Sequence, residues 1–127
     1  MADSKKYEAK IEVVTQYLED QSNPPDGRYT FAYNITITNV GTVASQLISR
    51  HWIITDANNH VQEVRGLGVV GYQPLLQPGQ SFQYTSGCVL STTAGSMCGS
   101  YFFTADDGKQ FEAPIAEFAL LMPRVLH

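Results

Sequence analysis

The sequence predicts an all-β fold, an antiparallel sandwich of about seven strands in two sheets. Three observations carry that expectation. Apolar residues recur with period two, most cleanly where Tyr29, Phe31, Tyr33, Ile35 and Ile37 alternate with Thr30, Ala32, Asn34, Thr36 and Thr38. Clusters of Gly, Pro, Asn and Asp separate the apolar runs. No segment shows the spacing of an amphipathic helix.

The first strand is the loosest: Tyr7, Ala9, Ile11, Val13 and Tyr17 alternate with Glu8, Lys10, Glu12 and Gln16. N-P-P-D-G at 23–27 turns the chain into the strand at 29–38, and N-V-G at 39–41 ends that strand. L-I-S-R-H-W-I-I-T (47–55) follows, closed by D-A-N-N at 56–59, and V-Q-E-V-R (61–65) comes next. P-G at 78–79 introduces S-F-Q-Y-T-S (81–86). G-S-Y-F-F-T (99–104) and Q-F-E-A-P-I-A-E-F-A-L-L (110–121) flank D-D-G at 106–108, a hairpin turn with no calcium-ligand ladder after it. Pro114 cannot donate to a ladder, so the last strand is an edge, or is bulged and shared between two neighbours. Strands that are apolar on one face fit two sheets packed face to face.

A chain of 127 residues fits one domain, 1–127, with a core that needs neither metal nor disulfide. A net charge of −4 argues against a phosphate-backbone interface, so no nucleic acid is expected. No apolar run approaches the ~20 residues that span a bilayer. The start, M-A-D-S-K-K-Y-E, lacks the apolar core of a signal peptide, which makes the cytoplasm the expected location. Cys88 and Cys98 are then reduced thiols, and Cys88 reads as a small buried hydrophobe. Two cysteines outside a C-x-x-C pair and three scattered histidines do not make a zinc site. No cofactor is expected.

R-G-L-G-V-V-G-Y-Q-P-L-L-Q-P-G (65–79) contains a G-x-G-x-x-G at Gly66, Gly68 and Gly71, the spacing of a dinucleotide-binding loop. That chemistry needs a helix directly after the glycines, whose amides and dipole hold pyrophosphate. Pro74 pushes Gln73 out of the helical region, and Pro78 breaks any second turn. No Asp or Glu stands between Glu63 and Asp106 to hold a ribose, and the P-loop lysine is absent. Two readings of the Gly-rich loop 66–71 remain. Its amides form an anion nest beside Arg65 for a nucleotide polyphosphate or pyrophosphate. Alternatively, its glycines take positive φ in a tight, irregular connection. The candidate ligand or partner loop is Arg65, Gly66, Gly68, Val69, Val70, Gly71 and Gln73.

From Gly66 through Ala105 there is no charged residue and no histidine. The run includes the glycine loop and the S-T-T-A-G-S-M connection (91–97), both expected at the surface. An uncharged exposed strip of that kind suits the centre of a protein interface, or is ordinary surface, part of which is apolar in any folded protein. Catalysis finds little. Arg50 and Trp52 share one strand face and His51 the other, with Trp52 a core aromatic. His51 with Asp56 offers acid–base groups but no nucleophile, so His51 is expected to be a surface histidine and no enzyme is expected.

V-R-G-L-G-V-V-G-Y-Q-P-L-L-Q-P-G-Q-S-F-Q-Y-T-S-G-C (64–88) and L-S-T-T-A-G-S-M-C-G-S-Y (90–101) resemble the signature region of the ApaG family. R-H-W-I-I-T (50–55) and the ending F-A-L-L-M-P-R-V-L-H (118–127) extend the resemblance over nearly the whole chain. Cys88 matches the family and Cys98 departs from it. The resemblance implies a fibronectin type III- or immunoglobulin-like sandwich, with Leu76-x-Pro78-Gly79-x-x-Phe82 as a corner between sheets. It also implies genomic company with a diadenosine tetraphosphate hydrolase and a ribosomal RNA dimethyladenosine transferase, and a link to cobalt and magnesium efflux. Related domains in F-box and polymerase-associated proteins look like interaction modules, and the family brings no established catalytic residues. The expected function is therefore a non-enzymatic module that contacts a protein partner. The alternative is a small binding protein for a phosphate-containing ligand through loop 66–71.

Overall fold

The alternation in the sequence sorts side chains onto two facing sheets in the computed structural model of the chain, which describes residues 5–123. Met1–Ser4 of the N-terminal reading and residues 124–127 of the C-terminal resemblance lie outside that range. The strands are β1 (Ala9–Tyr17), β2 (Tyr29–Asn39), β3 (Ser45–Asp56), β4 (Val61–Leu67), β5 (Leu75–Leu76), β6 (Ser81–Leu90), β7 (Ala94–Ala105) and β8 (Gln110–Leu121). One sheet has the order β1-β2-β6 and the other β4-β3-β7-β8, with β5 paired to the start of β3. Every pairing is antiparallel. The only helical segments among the described residues are two 3-10 turns, Glu19–Gln21 and Pro24–Asp26.

The core is built around Trp52. Its ring meets Tyr33, Phe118 and Tyr101 edge-on at 5.5, 5.9 and 6.1 Å, the geometry that aromatic quadrupoles favour. Ile35, Ile37, Leu47, Val69 and Leu120 are fully buried around this cluster. The hydroxyls of Tyr84 and Tyr101 meet at 2.5 Å across the two sheets, so neither phenol is buried without a partner. Burial pushes the Tyr84 phenol up to about 12 and raises Tyr101 as well.

Asn39 fastens the corner between sheets. Its side-chain amide donates to the carbonyls of Val43 and Leu76, each at 2.9 Å, and its Oδ1 accepts from the Gly41 amide. Leu76 pairs with Ser45 in one sheet, Gly79 turns at φ +87, and Ser81 opens β6 in the other. The crossing expected at Leu76–Phe82 is there.

Two features differ from the sequence reading, and the last strand goes beyond it. β5 is a two-residue eighth strand, too short to carry a periodicity. β6 runs on to Leu90 and β7 begins at Ala94, so the 91–97 connection shrinks to Ser91–Thr93 and Met97 is buried. Its Ser, Thr, Ala and Gly content looked like a loop, but a strand between two neighbours takes its order from both ladders. β8 is an edge strand and carries a bulge as well: Met97 pairs with Phe118 but Gly99 with Ile115. Pro114 sits just beyond, opposite Ser100.

Trp52 is the centre of this packing, so Trp52→Ala should cost about 3–5 kcal/mol. The urea midpoint of the variant checks this; a loss below about 1 kcal/mol would place the core elsewhere.

Candidate functional site

The glycine loop leaves β4 at Leu67 and re-enters the sheet at Leu75. Val69 and Tyr72 exchange both backbone hydrogen bonds, at 2.8 and 2.9 Å, around Val70 and Gly71. Both central residues have positive φ, +44 and +87, which makes a tight turn of the primed hairpin type. Gly71 suits that geometry, whereas a β-branched Val70 in the left-handed region is strained. Gly68 has φ +63, and a side chain there would collide with the Tyr72 carbonyl. Gly66 has a different reason: a Cβ would lie 2.9 Å from the Arg50 guanidinium.

Arg50 holds the loop from beneath. Its Nη1 donates to the carbonyls of Leu67 at 3.0 Å and Gly68 at 2.8 Å. Gln73 stitches the other side, donating from Nε2 to the Ile48 carbonyl, while its own carbonyl accepts from Gln46. The Gly68 amide donates to Ile48 and the Val69 amide to Tyr72, so both are committed within the protein. Val69 is a correction to the candidate surface, because its side chain is fully buried. Leu67, Val70, Tyr72 and Leu75 are instead the exposed apolar groups, at 74%, 50%, 62% and 55%. Tyr72 leans on Phe82 of β6 at 5.9 Å, which joins the loop to the second sheet.

Arg65 lies on the outer face of the sheet. Its Nη2 is 3.7 Å from Glu63, which also meets His51 Nε2 at 2.8 Å. Glu63 and Arg65 are exposed, so their ion pair contributes little stability. His51 does not approach Asp56. Asp56 instead accepts from the amides of His60 and Asn58, and these bonds, the His60 one foremost, hold its carboxyl below the usual range. Among the described residues no three His, Cys, Asp or Glu side chains gather in metal-binding range.

Sequence reasoning passed over the cleft behind Arg50. It lies between the free edges of β4 and β6, with a volume of 380 Å³, and is walled by Tyr33, Trp52, Gln62, Val64, Ser86 and Cys88. Among the described residues Arg50 makes no ion pair, and its Nε and Nη2 donate to no protein atom. The available signal was an arginine on the inner face of a strand beside a tryptophan. Cys88 sits at the same place with its thiol 3.9 Å from the Met97 sulfur, and burial pushes that thiol up to about 11.

The comparisons agree with this architecture. A model of the ApaG domain matches residues 19–105, which takes in the loop, Arg50 and β6. The chain belongs to the ApaG family. It is 61% identical to Protein ApaG of Azoarcus sp. strain BH72 and 62% identical to Protein ApaG of Thiobacillus denitrificans, in both cases over all of each chain. Among solved structures it resembles one described as an ApaA protein of Bordetella pertussis. That match has a TM-score of 0.93 and 54% identity, and covers 97% of this chain and 100% of the other.

The loop geometry predicts a graded series. Gly71→Ala should cost about 1–2 kcal/mol for its positive φ alone, since nothing crowds the position. Gly68→Ala should cost more, because the Tyr72 carbonyl must also move. Arg65→Ala should stay within about 0.5 kcal/mol of the parent. Denaturant midpoints rank the three, and Arg65→Ala as the worst would refute the assignment.

Cys88 predicts a pH dependence. Its folded pKa of about 11 lies above the ordinary 9.0, so its burial contributes stability that is complete below pH 9 and is lost as pH rises towards 11. The fall in urea midpoint between pH 8 and 10.5 should be shallower in Cys88→Ala than in the parent. An unchanged slope would contradict the buried neutral thiol.

Proposed function

We propose that this ApaG domain is a non-enzymatic interaction module whose glycine loop seats a protein partner. The observation that carries the proposal is the exposure of Leu67, Val70, Tyr72 and Leu75, all on the loop or on the strand ends it joins, within a segment free of charge. Isolated exposed apolar residues are ordinary, but several on one rigidly tied connection suit the desolvated centre of an interface. The ties to Arg50, Gln73 and Gln46 support the same reading, since a pre-ordered loop loses less entropy on binding. A strained Val70 at the tip fits a contact residue.

The phosphate-ligand reading draws less support. The Gly68 and Val69 amides already donate to carbonyls, and Arg65 is turned towards Glu63 on the outer face. The links to metal efflux and diadenosine tetraphosphate metabolism then run through the partner. No helix among the described residues is long and apolar enough to cross a membrane.

Affinity capture from native cells tests the loop. Leu67→Ser and Tyr72→Ser should each reduce recovery of a specific partner about tenfold or more, the effect of removing an interface anchor. Their thermal midpoints should stay near that of the parent. Undiminished capture would exclude the loop. Saturable, salt-sensitive binding of a dinucleotide polyphosphate that Arg65→Ala abolishes would transfer the function to the ligand reading.

A further inference from the structure

Among the described residues the sandwich has four long edge strands beside the two-residue β5, and they are not protected alike. β1 carries Lys10 and Glu12, and β4 carries Glu63 and Arg65. β8 carries Glu112, Pro114 and Glu117, along with its bulge. Charges, prolines and bulges are the devices that keep a sheet edge from recruiting another strand. β6 has none of them: S-F-Q-Y-T-S-G-C-V-L is uncharged, free of proline, and paired with β2 in unbroken register over its full length.

Its hydrogen-bonding groups are also aimed outward. The Leu18 amide donates to Thr30, so the even-numbered residues of β2 bond to β1 and the odd ones to β6. Asn39 donating to Gln80 fixes the same alternation at the other end. In β6 the even-numbered residues therefore pair with β2. Gln83, Thr85, Gly87 and Val89 turn their N–H and C=O groups to the open edge, where no other strand of the described chain pairs with them.

The cleft beside that edge supplies a charge. Arg50 faces it with two nitrogens uncommitted, and no acidic residue lines it. A strand added to β6 would direct every second side chain into the cleft, where a carboxylate could take a bidentate, charge-assisted contact from Arg50. A second copy of β6 would bring no acid, so self-pairing leaves Arg50 as it is.

We infer that the open edge of β6 takes up an extended segment of a partner protein as an added strand, with an acidic side chain of that segment seated on Arg50. This rests on the interaction-module reading only in requiring a partner; the surface is distinct from the apolar loop tip. Main-chain pairing supplies affinity in this mode, and the alternate side chains supply selectivity.

The probes are capped ten-residue peptides of alternating Thr and Val, each with one Glu at a successive inward position, and their Gln twins. With the wild-type protein, the amides of Gln83, Thr85, Gly87 and Val89 should shift and exchange more slowly. The best Glu peptide should bind about tenfold more tightly than its twin. Thr85→Pro removes a donor that faces only the open edge, and should abolish binding while leaving the thermal midpoint within a few degrees. If that variant does not fold, the wild-type amide pattern and the Glu-to-Gln ratio still decide. Leu67→Ser and Tyr72→Ser should bind the peptides as the parent does, so failure of the loop reading and failure of this one are distinguishable. Three results would each overturn the inference: no binding at millimolar peptide, equal binding of the Glu and Gln forms, or edge amides already protected by a concentration-dependent dimer.

Discussion

Arg50 Nη1 donates to the carbonyl oxygens of Leu67 and Gly68, and the form of the loop follows from those two bonds. The guanidinium needs room against β4, which is why a residue without a side chain stands at Gly66. Once the two carbonyls are drawn inward, the chain must reverse above them. Gly68 and the Val70–Gly71 turn perform that reversal in the left-handed region. The apolar side chains then have only the outside left to occupy, apart from Val69, which fills the core. The G-x-G-x-x-G spacing is in this sense the footprint of a half-buried arginine held against the loop backbone. It has the letters of a dinucleotide fingerprint and none of its helix.

Much of the fold was legible because a one-sided strand writes its burial into the sequence. The alternation at Tyr29–Asn39 translates directly into the burial of β2, and Trp52 is where period two places it. The short β5 and the early start of β7 were not legible. Their order comes from neighbours far away in sequence, Ser45 for Leu76 and Thr55 for Ser96. For the candidate site, the glycines signalled an unusual backbone but not its cause. Gly66 and Arg50 are cross-strand partners, and a single sequence does not reveal that register. Val69 and Val70 look equivalent in the sequence, yet one is core and the other exposed, because Val69 closes the turn in a bridge to Tyr72 whereas Val70 stands at its tip with positive φ. Arg65 drew attention as the nearest charge, although its strand face turns it away from the loop's interior.

The two sides of the sandwich also differ in how they close. β1 and β8 approach each other along one side. On the other, β4 and β6 stand apart around Arg50. The absence of charge between Gly66 and Ala105 covers the loop, β6 and β7 together. In β7 it reflects burial between two strands, as Met97, Tyr101 and Phe103 attest. In the loop and along β6 burial does not account for it, since half of each is exposed. That neutral surface lies beside Arg50, which makes no ion pair among the described residues.

The register that joins β2 to β6 also sets how the molecule reaches its native state. Asn34 meets Thr85 across 51 positions of chain, so the small sheet cannot assemble until a long loop has closed. Topologies of this kind fold in milliseconds to seconds, far more slowly than hairpins. Throughout that interval β6 has two unsatisfied edges rather than one, and no charge to keep newly made chains apart. Crowding of newly made chains therefore acts on this protein before the sandwich has closed, through an edge that the finished fold half covers.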